Sequence, residues 1–197
     1  KTLLREELTP QQAMCMLHFL KSRNVLRGVY IDGLGHMSRE DFSEIEAVAA
    51  TPATAALMRR SYQTDEDLDA VTAQHDSVQK IIAFFRNPDD KQATIREITA
   101  RFPGYAVSSS LGNNIEINAQ NATKGSALCF LCEKIGVPIG QCMAFGDGTN
   151  DYSMLRAAGF GVAMGNASEE VQSCADAVTE TNEEDGVARM IERVLEL

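Results

Sequence analysis

Two aspartates four positions apart, Asp147 and Asp151, enclose Gly148, Thr149 and Asn150 in the stretch AFGDGTNDYSML, residues 144–155. The apolar run before them reads as a strand and the residues after them as a helix, so both aspartates fall on a strand-to-helix turn. Gly146 and Gly148 let the backbone turn sharply and approach a ligand closely. Asn150 and Asp151 are expected at the N-terminus of the next helix, where free N–H groups favour an anion. Two carboxylates about 4 Å apart repel by about 4 kcal/mol at an effective dielectric near 20. A divalent cation removes that repulsion. Oxygen ligands, few in number and shared with a phosphate, point to Mg2+. A D-G turn and an Asn or Asp cap are common in any chain; the strand before and the helix after give this stretch its weight.

Lys124, in NATKGSAL, opens the preceding predicted helix. The G-x-x-x-x-G-K-[ST] spacing of a P-loop is absent. A cation is poorly placed at a helix N-terminus. The placement makes sense when a phosphate or a carboxylate sits there too.

The elements that must hold these residues form two groups. LTPQQAMCMLHFLKSRN reads as a helix capped by Thr9, with Pro10 in its first turn and an apolar stripe of Ala13, Met14, Leu17 and Leu20. VLRGVYI reads as a strand, IDGLGHM as a turn into a second short strand, and SREDFSEIEAVAA and TPATAALMRRSY as helical pieces. Residues 63–78 are polar and acidic and match no pattern. KIIAFFR is a strand, and NPDDKQATIREITARF is a helix with two aspartates suited to its dipole. YAVSSSL and NIEINA straddle G-N as a hairpin. This mixture predicts an α+β domain over residues 1–118. From residue 119 to 197 short apolar strands (QCMAFG, FGVAMG, DAVT) alternate with helices, ending in DGVARMIERVLEL. That alternation predicts part of a Rossmann-like parallel sheet, and ligands of such sheets sit beyond the carboxyl ends of the strands. The fold class expected is therefore α/β.

Bulk composition narrows the function classes. The formal net charge of the 197 residues is -10, which argues against nucleic acid and anionic membranes as partners. A metal ion and one lysine can still reverse the field locally for a small anionic substrate. No run of about 18 apolar residues occurs, and KTLLREELTP has no apolar core of a signal peptide. The five cysteines are odd in number and sparsely spaced, as expected for free thiols in a reducing cytoplasm. Cys129 and Cys132 form a C-x-x-C on a predicted helix and are expected to be two small core residues.

NATKGSAL, FGDGTNDYSMLRAAGFGVAMGNASEEV and CADAVTETNEEDGVARMIE together resemble the C-terminal half of the haloacid-dehalogenase-like superfamily, and more narrowly its Cof-type sugar-phosphate phosphatases. The likeness covers residues 113–195; residues 1–117 are similar to the α/β cap domain of that branch in element order and in NNIEI. The resemblance implies a cap that closes over the site and selects the leaving group. It implies that Lys124 balances charge on phosphate and nucleophile, that Asp147 is the direct Mg2+ ligand, that Asp151 supports the metal site, and that Asn150 lies near the transferred phosphoryl group. Asn121 and Thr123 stand where the family often has glycine and serine.

The larger departure lies upstream. The family's nucleophile is an aspartate in D-x-D-G-T, and that sequence is absent from residues 1–197. Asp32 in VYIDGLG has one carboxylate, and Leu34 replaces the threonine; it reads as a hairpin turn. Lys1 is not a natural start, so the chain is expected to be a piece of something longer. The reading is an Mg2+-dependent phosphatase that hydrolyses a small phosphate monoester through an aspartyl-phosphate, with the nucleophile outside this chain. Asn113, Asn114 and Glu116 are weaker candidates for contact with substrate. The rivals are a non-catalytic binding or regulatory protein that has lost its nucleophile, and the phosphorylation domain of a P-type ion pump.

Overall fold

The computed structural model describes residues 2–110 and 112–196. Lys1, Leu111 and Leu197, which fall in the expected start, hairpin and closing helix, lie outside the described residues. Two compact units, Lys1–Ala122 and Thr123–Leu197, make up the chain.

In the first unit, α1 (Pro10–Lys21) begins at a capping box. The Thr9 hydroxyl accepts from the Gln12 N–H, and the Gln12 side chain accepts from the Thr9 N–H. Such a cap stabilises by about 1 kcal/mol. The buried stripe is Ala13, Met16, Leu17 and Leu20, with Met16 where the sequence pattern suggested Met14. At about 100° per residue, position 16 lies about 40° beyond the arc spanned by 13, 17 and 20, and position 14 about 60° beyond its other edge.

The strands β1 (Val25–Ile31) and β2 (Leu34–Ser38) form an antiparallel hairpin in which Ile31 pairs with Leu34. Its two-residue turn is Asp32 and Gly33, at φ 51° and 81°. Two successive left-handed residues match the right-handed twist of the strands, so Asp32 is a turn residue, as the sequence suggested. Next come α2 (Arg39–Ser43), a single 3-10 turn Ile45–Ala47 and α3 (Pro52–Ser61). The polar segment without a pattern resolves into β3 (Tyr62–Asp65) and α4 (Leu68–Ala73). The Asp67 carboxylate caps α4 by accepting from the N–H groups of Asp69 and Ala70. The unit closes with β4 (Lys80–Phe85), α5 (Asp89–Arg101), β5 (Tyr105–Ser108) and β6 (Asn114–Ala119).

These strands form one sheet in the order β3-β2-β1-β4-β6-β5, antiparallel except between β2 and β3. Alternate residues of β4 enter different cores, as the pleat requires. Ile81 and Phe85 join Leu17, Leu20 and Ile98. Ile82 and Phe84 join Leu26, Met37 and Met58.

The second unit runs α6 (Lys124–Ile135), β7 (Met143–Gly146), α7 (Tyr152–Ala157), β8 (Phe160–Ala163), α8 (Glu169–Gln172), β9 (Ala177–Val178) and α9 (Gly186–Leu195). Its three strands are parallel in the order β7-β8-β9. The fold is α/β, with a partial Rossmann-like sheet after an α+β unit of cap type. Two local expectations change. The α-helix after the aspartates starts only at Tyr152, because Thr149–Asp151 forms a 3-10 turn closed by the Asp151 N–H on the Gly148 carbonyl. Cys129 is exposed and only Cys132 is buried; the face of α6 that packs inward holds Gly125 and Cys132.

Candidate functional site

Strand β7 ends at Gly146, and the chain leaves the carboxyl edge of the parallel sheet through Asp147 and Gly148. A Cβ on Gly146 would lie 2.5 Å from the Asp151 Cβ. Only a glycine lets the loop fold back so that Asp151 lies over the strand end. The Asp151 carboxylate then ties the loop together. Its Oδ2 accepts from the N–H groups of Asp147 and Gly148, both at 3.0 Å. Its Oδ1 accepts from the Lys124 ammonium in a close ion pair. The Asp151 side chain is 5% exposed and that of Lys124 is 50% exposed.

Burial pushes the Asp151 carboxyl up. The Lys124 ammonium and the Gly148 and Asp147 N–H groups outweigh it, and hold the group below the ordinary aspartate value. Asp151 is therefore ionised at neutral pH with both oxygens occupied.

Helix α6 delivers Lys124. Thr123 caps it by accepting from the Ser126 N–H at 3.1 Å, and the Gly125 N–H donates to the Ser153 hydroxyl of α7 at 3.0 Å. The second bond fixes the start of α6 to the start of α7. Lys124 and Asp151, 27 residues apart, meet through that joint.

Asp147 has a different environment. It is exposed, and its Oδ2 accepts from the Asn166 side-chain amide at 3.1 Å. Asn166 follows β8, and its own Oδ1 accepts from the Asn182 N–H at 3.1 Å. This asparagine was not singled out as a site residue from sequence. Its place just after a strand, at the carboxyl edge of the sheet, was the available signal. Asn150 is half-buried, with its Oδ1 beside Gly148.

Lys124, Asp147, Asn150 and Asp151 thus come together in one unit. Among the described residues no group of three or more His, Cys, Asp or Glu side chains gathers as a metal cage. The donor chemistry nonetheless fits a hard cation. Asp147 offers an accessible carboxylate at a sheet edge, and Mg2+ uses one or two carboxylates with waters or phosphate oxygens. Asp151, with its oxygens taken, is suited to holding the loop and Lys124 in place.

The weaker candidates lie in the first unit. Asn114 is fully buried and braces the hairpin loop through the Ser110 N–H and the Ser109 hydroxyl. Asn113 donates to the Val48 carbonyl at 2.7 Å. Glu116 pairs with Lys80 at 3.1 Å and accepts from the Ser110 hydroxyl at 2.6 Å. Their visible roles are structural.

A family profile described as haloacid dehalogenase-like hydrolase matches residues 1–191. The chain is 51% identical over 87 residues to Phosphatase YwpJ of Bacillus subtilis (strain 168), covering 44% of this chain and 30% of that protein. It is 34% identical over 172 residues to a phosphoglycolate phosphatase of Pyrobaculum neutrophilum, covering 84% of this chain and 67% of that protein. A solved haloacid dehalogenase-like hydrolase from B. subtilis superposes with a TM-score of 0.79 at 29% identity, over 95% of this chain and 72% of that one. The chain spans about a third of the length of the first curated relatives it matches.

Proposed function

Because this chain belongs to the haloacid dehalogenase-like hydrolases, we propose that it forms part of an Mg2+-dependent phosphatase acting on a small phosphate monoester. The observation that carries this reading is the Lys124–Asp151–Asp147 arrangement at the carboxyl edge of the parallel sheet. In this reading residues 1–118 serve as the cap and residues 119–197 as part of the core.

Asp147 would hold Mg2+, and Asn166 orients that carboxylate. The cation supplies charge neutralisation on the phosphoryl oxygens. Lys124, exposed by half and fixed by Asp151, places a positive charge for the phosphate. Asn150 lies beside the same loop as a hydrogen-bonding group for the phosphoryl oxygens. The covalent step belongs to an aspartate outside residues 1–197. Its carboxylate attacks phosphorus, the substrate alcohol leaves, and water hydrolyses the aspartyl-phosphate to free aspartate and inorganic phosphate. The substrate is a small phosphorylated metabolite, and the setting is the cytoplasm. No helix among the described residues is long and apolar enough to cross a membrane, and no observation favours the ion-pump or the non-catalytic reading.

Calorimetry with inorganic phosphate in Mg2+ buffer tests the site. Binding that requires Mg2+ and is lost in Asp147→Asn supports the proposal; phosphate binding indifferent to both overturns it. An assay with p-nitrophenyl phosphate tests the nucleophile. Residues 1–197 alone are expected to give no Mg2+-dependent turnover, and robust turnover would overturn the assignment of the nucleophile to another segment.

A further inference from the structure

Two cysteines outside the candidate site face each other. Cys132 lies on α6, and Cys142 ends the 3-10 turn Ile139–Gln141 that leads into β7. Their sulfurs are 3.2 Å apart, although the residues are ten positions apart in sequence. Cys132 is buried, and Cys142 is partly exposed. The Cys142 thiol also donates weakly to the Pro138 carbonyl at 3.9 Å.

The obvious pair in the sequence is Cys129 with Cys132, but helix geometry separates them. Residues three apart on an α-helix have Cβ atoms about 5–6 Å apart, and a disulfide needs about 3.5–4.5 Å. Closing that pair requires unwinding α6. The Cys132–Cys142 pair bridges a helix and a strand lead-in instead. Its sulfurs need approach by only about 1 Å to reach a bond of about 2.05 Å.

We propose that Cys132 and Cys142 form a reversible disulfide, a modification site that reacts with low-molecular-weight disulfides such as oxidised glutathione. Cys142 is the entering group, because it is the accessible one. Its thiolate attacks one sulfur of the oxidant, whose S–S bond breaks and releases one glutathione thiolate. The Cys132 thiolate then attacks the Cys142 sulfur and releases the second glutathione. Two protein thiols are oxidised, one oxidant disulfide is reduced to two thiols, and the two thiol protons pass to the departing thiolates. The hydrogen bond that its thiol makes to Cys142, followed by burial, pushes the Cys132 thiol up. This makes Cys132 a resolving group and a poor first nucleophile.

The bond would join the two elements that bring the candidate site together. Helix α6 begins at Lys124, and β7 ends just before Asp147. Cys132 lies about 12 Å along the helix from Lys124. The inference depends on the geometry of α6 and β7 alone, and it stands whether or not the phosphatase reading does.

The test is equilibration of the 197-residue protein in a series of reduced and oxidised glutathione buffers. Acid quench, alkylation and peptide mass spectrometry then locate the linkage. Oxidation is expected to lower the alkylatable thiols from five to three and to yield a Cys132–Cys142 cross-linked peptide. Cys142→Ser, a change at a partly exposed position, abolishes the cross-link, and Cys129→Ser leaves it in place. Five alkylatable thiols throughout, a glutathione adduct on Cys142 with no cross-link, or a Cys129–Cys132 linkage would each overturn the proposal.

Discussion

The two units are held together by different forces. Residues 1–122 bury apolar side chains on both faces of a six-stranded sheet. Among the described residues, 123–197 hold a small cluster of buried apolar residues, Leu155, Ala163, Ala167 and Val171, beside a three-stranded sheet, with further buried side chains such as Val162 and Met190 outside that cluster. The smaller unit also leaves more apolar surface uncovered. Val187, Ile191 and Val194 lie on one face of α9 and are exposed, as are Leu131 and Ile135 on α6. The exposed large apolar residues of the first unit are fewer, the adjacent Leu3 and Leu4 with Leu34 and Leu57 apart from them. The candidate chemistry therefore resides in the thinner core, where one buried carboxylate with three polar partners sets the geometry. Removing apolar volume should damage the first unit most, and changing charge should damage the second.

The largest effect is expected in the first unit. Ile81→Ala empties a fully buried position in the larger cluster and should cost about 4 kcal/mol, against about 2–3 kcal/mol for Leu155→Ala in the smaller one. Urea unfolding of both variants measures the difference; an equal or larger loss at Leu155 would break the contrast. Gly146→Ala follows, because the new Cβ would meet the Asp151 Cβ at 2.5 Å. About 1–3 kcal/mol is expected from the overpacking, with amide shifts in Asp147 and Gly148 by NMR. Unshifted amides would mean that the loop is not held by Asp151.

The third effect depends on pH. The folded Asp151 carboxyl sits below its unfolded value. Its contribution to stability is therefore fully present above the unfolded value, near 3.9, and is lost as pH falls through the lower folded value. Asp151→Asn should flatten that acid limb and leave Lys124 without its anionic partner. An unchanged acid limb in stability measured from pH 2 to 5 would contradict the role given to this carboxylate. The smallest effect is expected from Asn166→Ala, which removes two exposed hydrogen bonds, the one donated to Asp147 and the one accepted from the Asn182 N–H. Stability should change by no more than about 1 kcal/mol. Metal affinity at Asp147 should fall about 10-fold or more, as for other groups that orient a ligand.

Sequence reading served the two units unequally for the same physical reasons. Periodicity found β1, β4 and the parallel strands because their apolar runs are continuous, and Asp32-Gly33 announced its turn by residue type. Within the unplaced residues 63–78, β3 was hidden because it lies at the sheet edge and its Gln63 and Thr64 are exposed. At the candidate site, Lys124 entered through the family resemblance, and the turn that holds Asp147 and Asp151 was legible from spacing and context. The contact between Asn166 and Asp147, and the pairing of Cys132 with Cys142 in place of Cys129, were not. Both join residues from different elements, and spacing along one element carries no record of them.

The most direct test of the central claim, that Asp147 holds a cation beside Lys124 and Asp151, is a paramagnetic one. Mn2+ can stand in for Mg2+ at a carboxylate and water site, and it broadens nearby amide signals in 15N spectra of residues 1–197. The account expects broadening centred on Asp147, Gly148 and Asn166, reversed by excess Mg2+ and absent from Asp147→Asn. Broadening that persists in Asp147→Asn, or that centres on acidic residues elsewhere in the chain, would contradict it.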